Sequence, residues 1–356
     1  MRRRALPINR TEGSGLYPLR LRLFFVLLFS SLLSIPAFSR TIYTVVLGNQ
    51  NYVVGSSTLR SGLFVSRDDA TTWRHVGPEN LKAYSMDAVD SAEGRVLYIA
   101  AGNGVHKSTD YGATWKIVTD WRMTEVMDVK VDQSAPDNIY AATAFGLWRS
   151  TDGGETWTNP DGPLKERYCY RLMMWDSHVI VEEDRHEKRL WWFRRDGDSL
   201  RAVPDRWAEQ PEGCRYRIPN YVGRYDTVAV RFGLVPCALL LDAFALALHG
   251  TSLYAAYPDT LWRLHGVGDG APFTEHLADY GSPLPTPFTS SVHALVGLTD
   301  KRLPYREDEP LLVGTFGDGL FLFDGKKWRE AGLDGSQIWS IVVKEYDVAV
   351  EVGHGH

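Results

Sequence analysis

Gly146-Leu-Trp-Arg-Ser150-Thr-Asp152-Gly-Gly154-Glu-Thr156-Trp157 is the phrase from which the architecture of this chain can be read. It stands one period earlier as Gly104-Val-His-Lys-Ser108-Thr-Asp110-Tyr-Gly112-Ala-Thr114-Trp115. Before that it reads Gly62-Leu-Phe-Val-Ser66-Arg-Asp68-Asp-Ala-Thr-Thr72-Trp73. The tryptophans recur every 42 residues (115 − 73 and 157 − 115). An alternating run that enters Asp-x-Gly and leaves through Thr-Trp is a hairpin signature. The Ser hydroxyl and Asp carboxylate can accept turn amides, Gly takes a positive φ, and Trp pins the turn to its strands. Ala70 stands where the other copies have Gly, which predicts a looser first turn. Upstream of the third copy, Val126–Val131 and Asn138–Thr143 are two further alternating runs. Each unit therefore has four strands, with the Asp turn joining the third to the fourth.

Worn copies follow at Leu190-Trp-Trp-Phe-Arg-Arg-Asp196-Gly197, Leu261-Trp-Arg-Leu-His-Gly266 and Gly319-Leu-Phe-Leu-Phe-Asp324-Gly325-Lys-Lys-Trp328. A repeat in the low forties made of short strands is the period of a propeller blade. Four-strand units read at about 42–76, 85–120, 126–160, 168–204, 243–277 and 290–331, with 205–242 as an eroded blade or an insertion. Two strands, Ile338–Lys344 and Val348–Val352, are left over at the C-terminal end. The expectation is all-β: a single propeller over 40–356 of four-stranded antiparallel blades, seven favoured and six the alternative. Closing the ring should bring the C-terminal strands beside the N-terminal ones, because closure protects sheet edges. Composition agrees, with 12 Trp, 17 Tyr and 14 Phe beside 32 Gly and 18 Pro in 356 residues.

The Ser-x-Asp-x-Gly-x-Thr-Trp phrase resembles the Asp-box, or BNR repeat. The chain is thus similar to the Asp-box propellers: sialidases, sortilin-type receptor domains, xyloglucanase-like glycosidases and photosystem II assembly-factor-like secreted proteins. The resemblance implies a structural role for Ser66, Asp68, Trp73, Ser108, Asp110, Gly112, Trp115, Ser150, Asp152, Gly154 and Trp157, and for Asp324 and Trp328 in the worn copy. It says little about activity.

Residues 1–22 carry six arginines against one acid, Glu12. An apolar run from Leu23 to Leu33 and then Ala37-Phe38-Ser39 complete the pattern of a secretory signal peptide over 1–39. The run is short of the roughly 20 apolar residues that span a bilayer, so no stable membrane span is expected after cleavage. Removing that segment takes the formal charge from −5 to about −10. Nucleic-acid binding, which needs a positive footprint, is therefore not expected. Cys169, Cys214 and Cys237 are too few for a disulfide framework and lack zinc spacing, so a bridge between two of them stays open beside burial as small hydrophobes. The apolar stretch Gly233–Leu248 is interrupted by Pro236 and Asp242 and reads as buried strand.

Connectivity divides the faces. In an up-down blade with strands A to D, the Asp turns mark the C–D end, and the D–A and B–C loops share the other. Residues entering the innermost strand from the D–A loop should ring the channel mouth: Tyr84, Trp121, Arg122, Arg167, Tyr168, Arg224 and Trp339. Aromatic planes with guanidinium groups suit sugars, carboxylates or peptide segments. A second basic concentration is Arg194, Arg195, Arg201, Arg206, Arg215, Arg217, Arg224 and Arg231, either a patch for an acidic partner or a solvated edge neutralised by Asp184, Asp196, Asp198 and Asp205. His178, Glu182, Glu183, Asp184, His186 and Glu187 read as solvated, and His354 and His356 as a frayed end rather than a metal pair. Tyr216-Arg217-Ile218-Pro219 matches a sialidase motif but follows the third box instead of preceding the first. The chain contains no Gly-rich phosphate loop, His-Glu-x-x-His or Gly-x-Ser-x-Gly element. The expected function is an exported binding or assembly scaffold for a protein or glycan, without catalytic residues, cofactor or metal. A sialidase-like or other glycoside hydrolase with its site at the mouth is the alternative.

Overall fold

The computed structural model describes residues 40–49, 61–91, 94–159, 162–175, 177–183, 189–196, 199–203, 245–249, 252–257, 260–264, 278, 281–298 and 310–345, and the structural statements below concern these. The chain divides into a compact unit, Arg40–Glu345, and a second unit, Met1–Ser39 with Tyr346–His356, which lies outside the described residues.

Among the described residues of the first unit the named elements are all strands, and they form six antiparallel sheets. The first holds β1 (Arg40–Asn49), β2 (Gly62–Ser66) and β3 (Arg74–Val76). The second holds β4 (Ala83–Ser91), β5 (Gly94–Ala101), β6 (Gly104–Ser108) and β7 (Lys116–Ile117), and the third β8 (Val126–Val131), β9 (Ile139–Thr143) and β10 (Gly146–Ser150). The fourth is β11 (Cys169–Trp175), β12 (His178–Glu183), β13 (Arg189–Asp196) and β14 (Ser199–Val203). The fifth is β15 (Ala245–His249), β16 (Ser252–Tyr257), β17 (Thr260–Leu264) and β18 (Gly281–Pro283). The sixth is β19 (Val292–Gly297), β20 (Leu311–Thr315), β21 (Leu320–Phe323) and β22 (Trp328–Glu330). A last strand, β23 (Ser336–Glu345), pairs antiparallel with β1 and supplies the first strand of the first sheet.

This corrects two expected units. The described residues of 42–76 give three strands, and the fourth strand of their sheet comes from the C-terminal region, Ser336–Glu345. In the third sheet the outermost strand shrinks to one bridge, Arg149 to Thr158. The run Val348–Val352 and the stretch 205–242 lie outside the described residues.

First strands meet from sheet to sheet in the order β15, β19, β23, β4, β8, β11, so they are the innermost. The core is the set of seams between successive sheets. Ile42, Phe64, Leu312 and Ile338 close the sixth against the first, and Leu63, Ala83 and Leu97 the first against the second. Val105, Val129 and Ile139 then join second to third, while Tyr140, Leu172 and Val181 join third to fourth. Strands buried on both faces need apolar residues at successive positions, which is why Leu-Leu-Val in β20 does not alternate. Each fully buried aliphatic side chain there contributes about 1.5–3 kcal/mol.

The three repeated turns close in the same way. Ser150 Oγ donates to Asp152 Oδ1 (2.7 Å) and accepts from Gly154 N (2.8 Å). Asp152 then accepts from Thr156 N (2.8 Å) and Thr156 Oγ1 (2.5 Å). Ser108, Asp110, Gly112 and Thr114 repeat the set, as do Ser66, Asp68, Ala70 and Thr72. The first turn is therefore not looser. Ala70 takes φ 60° and makes the glycine's bond to Ser66 Oγ at 3.0 Å, at the roughly 1–2 kcal/mol cost of a left-handed L-residue.

The tryptophans do more than pin their own turns. Trp73 Nε1 donates to Ala331 O (2.7 Å) and Trp157 Nε1 to Val118 O (2.9 Å), each just past the outer strand of the preceding sheet. Trp328 does the same with Pro285 O (2.7 Å). The ring of Trp115 lies against Gly77, where an added Cβ would come within 3.1 Å of its Nε1. These indoles stitch neighbouring sheets. The worn turn differs in its closure: Asp324 Oδ1 accepts Lys326 N and Lys327 N (2.8 and 2.7 Å) without a serine.

Candidate functional site

The loops opposite those turns are tied to one another. Gly102 N, between β5 and β6, donates to Lys82 O (3.1 Å) before β4, and Glu125 N, before β8, donates to Gly102 O (2.9 Å). Ala144 N then donates to Glu125 O, Glu166 N to Phe145 O and Phe316 N to Ser291 O. B–C turns and D–A loops thus share one face, as the connectivity requires.

At that face five innermost strands carry a bulge. Ala83 pairs with Ala101 and Ser85 with Ala100, leaving Tyr84 without a counterpart in the register. The same displacement falls at Met127, Tyr170, His293 and Trp339. A bulge bends the strand and re-aims its side chain, and here one falls on each of five successive innermost strands at the end where B–C turns and D–A loops meet. Of the expected residues only Tyr84 and Trp339 belong to this row. Met127, Tyr170 and His293 were missed, and so was Phe316 on the neighbouring turn. One sequence signal would have found the row. Ala83-Tyr-Ser-Met, Val126-Met-Asp-Val, Cys169-Tyr-Arg-Leu, Val292-His-Ala-Leu and Ile338-Trp-Ser-Ile each place a large residue between an apolar residue that the fold buries and a short or polar one.

Part of the row is a continuous aromatic wall. His293 stacks on Phe316 with centroids 4.6 Å apart, and Trp339 meets His293 at 5.2 Å and Phe316 at 5.6 Å. Tyr84 meets Trp339 edge-on at 6.3 Å, and Lys82 Nζ lies 5.4 Å from the Tyr84 centroid. Hydrogen bonding to Tyr84, then the field of that residue, raises the Lys82 ammonium above its usual range against the opposing effect of burial. His293, Phe316 and Trp339 are half-buried, so their remaining surface is open to a ligand.

The other expected residues are dispersed. Trp121 is exposed in the β7–β8 loop, and Arg122 beside it forks onto Asp120 (2.6 Å) while lying 5.8 Å over Trp148. Arg167 pairs with the buried Glu183 at 2.7 Å, and Tyr168 is partly exposed. Arg224 lies outside the described residues. Neither described arginine is held ready for a substrate carboxylate, since each already meets a carboxylate of its own.

Two further readings are corrected. Arg195 is not part of a solvated basic edge. It reaches buried Asp132 in the third sheet, while Arg194 and Arg201 are exposed and Arg206, Arg215, Arg217 and Arg231 lie outside the described residues. Glu183 is not solvated either: it accepts from Arg167 and from the Trp191 indole, and His178 packs edge-on against Trp192. Cys169 is a free, buried thiol that burial pushes up to about 12, so it stays protonated. Cys214 and Cys237 lie outside the described residues.

The buried carboxylates of the innermost strands are occupied in joining them. Asp87 Oδ2 accepts Val131 N (3.0 Å) from the next sheet, and Asp128 Oδ2 accepts Leu172 N (2.8 Å) one sheet further on. Lys344 and Lys130 neutralise them at 3.4 and 3.3 Å. A buried carboxylate that accepts an amide of the next sheet fastens the two sheets together. Among the described residues no group of three or more His, Cys, Asp or Glu side chains could hold a metal ion, and no helix is long and apolar enough to cross a membrane.

The model of the DUF6242 beta propeller domain matches residues 34–234, more than half of the chain. The chain belongs to the DUF6242 β-propeller family. Among the solved structures it resembles, one speaks to the fold alone. A Bacteroides uniformis ATCC 8492 protein provisionally assigned as a 6-phosphogluconolactonase is 10% identical, with TM-score 0.50 over 86% of this chain and 99% of its own. A chain of a nidogen/laminin complex is 9% identical (TM-score 0.47, 85% and 98% covered), and the xyloglucanase of Xanthomonas campestris is 16% identical (TM-score 0.39, 81% and 44%). No curated protein matches. For this DUF6242 propeller the functional reading must therefore come from its own mouth face.

Proposed function

We propose that this DUF6242 propeller is an exported, non-catalytic Asp-box scaffold that takes a protein or glycan partner at its mouth face. The observation that carries the reading is the row of bulges at Tyr84, Met127, Tyr170, His293 and Trp339, of which Tyr84, His293 and Trp339 form an aromatic wall with Phe316 that is half-buried at His293, Phe316 and Trp339. Rigid sheets presenting variable loop residues are the usual form of a recognition surface. Export is supported by the basic and apolar pattern of residues 1–39, after which the compact unit begins at Arg40. Seven blades remain the favoured count, because β14 ends at Val203 and β15 starts at Ala245, one repeat period apart.

The test is capture of partners by the chain from Arg40 onward, compared with its Trp339→Ala and His293→Ala variants. Loss of specific partners in both variants, with the fold retained by circular dichroism, is the expected result. The hydrolase alternative is addressed with a panel of fluorogenic glycosides, sialosides included. Turnover abolished by Arg122→Ala or Arg167→Ala would replace the scaffold reading.

A further inference from the structure

Among the described residues five large apolar or aromatic side chains stand exposed, and three of them share the mouth face. Trp121, 84% exposed, is in the β7–β8 loop. Phe145, 52% exposed, is in the β9–β10 turn, and Tyr168, 39% exposed, stands just before β11. Leaving such surface in water forgoes part of the roughly 1.5–3 kcal/mol that full burial of each side chain would contribute, and all three stand on loops of one face.

The supports of these rings are rigid. Met123 N donates to Asp120 O (3.0 Å), Ala144 N to Glu125 O (3.3 Å) and Arg167 N to Leu164 O (3.1 Å). Phe145 O accepts both Glu166 N (3.2 Å) and Asn159 Nδ2 (3.3 Å), which joins the turn to the loop carrying Tyr168. The charges around the rings cancel. Segments 120–125 and 162–168 hold three acids (Asp120, Glu125, Glu166) and three bases (Arg122, Lys165, Arg167), and both arginines are forked or paired onto carboxylates.

We infer that this arc binds a neutral polysaccharide chain, an inference that rests on reading the mouth face as the binding face and names the partner class. Sugar rings lay apolar C–H faces on aromatic planes, while their equatorial hydroxyls reach the polar groups between them. An ionic ligand would meet no excess of opposite charge here. A protein partner favours one desolvated centre of clustered anchors, whereas these rings stand one to a loop with ion pairs between. An uncharged ligand that repeats its ring faces suits three exposed rings carried singly on adjacent, hydrogen-bonded loops.

Native affinity electrophoresis of the chain from Arg40 onward, in gels containing hydroxyethyl cellulose, galactomannan or anionic polygalacturonate, tests this. At least one neutral polymer should retard the protein, polygalacturonate should not, and the effect should survive about 0.5 M salt. Trp121→Ala should weaken retention about tenfold, and Phe145→Ala and Tyr168→Ala about threefold to tenfold. Unchanged melting of these exposed-site variants confirms their fold, and quenching of tryptophan fluorescence by cello- or manno-oligosaccharide, lost in Trp121→Phe, gives an independent reading. Failure of both neutral polymers, retention unaltered in Trp121→Ala, or salt-sensitive binding of polygalacturonate would each overturn the inference. If that happens while Trp339→Ala still abolishes partner capture, the scaffold reading stands and only the glycan assignment falls.

Discussion

The two ends of these sheets are built on opposite rules. At the C–D end, three turns repeat the same serine, aspartate and threonine bonds at nearly the same lengths, and each indole reaches the preceding sheet. At the mouth end, five bulges fall at one strand position yet carry Tyr84, Met127, Tyr170, His293 and Trp339. A turn that must both close itself and stitch a neighbour has little room for substitution. A bulged residue stands outside the ladder register, so the sheet pairing places less restriction on its identity.

That contrast should appear first in stability. Trp157→Ala removes the indole held by Val118 O and its packing in the seam of second and third sheets. It is expected to cost about 3–5 kcal/mol in urea unfolding, and a loss below about 1 kcal/mol would break the idea that these indoles join sheets. Gly314→Ala should cost about 1–3 kcal/mol, since its new Cβ would press on Ile338, with the Ile338 Cβ only 2.9 Å away. It shows that the mouth end also has positions fixed by packing.

A smaller effect comes from acid. Hydrogen bonds, led by the threonine hydroxyl, lower the carboxyls of Asp68, Asp110 and Asp152 to about 2. Their folded values lie below the unfolded one near 3.8, so their stabilisation is complete above about pH 4 and is lost as the pH falls toward 2. Asp68 and Asp152 are solvent-exposed and Asp110 partly so, which tempers the effect. Melting measured from pH 5 to 2 should decline less steeply in Asp152→Asn than in the parent. The smallest change is at the mouth: Trp121→Ala should shift unfolding free energy by no more than about 0.5 kcal/mol while altering ligand retention.

The same contrast explains what could be read from the sequence. Each Asp turn is local, its bonds spanning four residues, so Ser150 to Trp157 announces itself in the chain. The bulges depend on register between strands whose partners lie further along, such as Trp339 in β23 against β1. Tyr84 and Trp339 were reachable because they open alternating runs, but His293 and Phe316 meet only through tertiary packing. Arg195 and Glu183 were misplaced for a related reason: their partners, Asp132 and Arg167, lie on other strands or loops, and charge spacing alone does not reveal them.

The pairing of β23 with β1 has a consequence for synthesis. While the chain emerges from its N-terminus, β1 lacks its partner along Ile42 and Val45 until β23 has been made. A product terminated before Ser336 would leave that slot permanently vacant, an adhesive edge open to a neighbouring molecule. Completion of the first sheet thus reports that translation has reached β23.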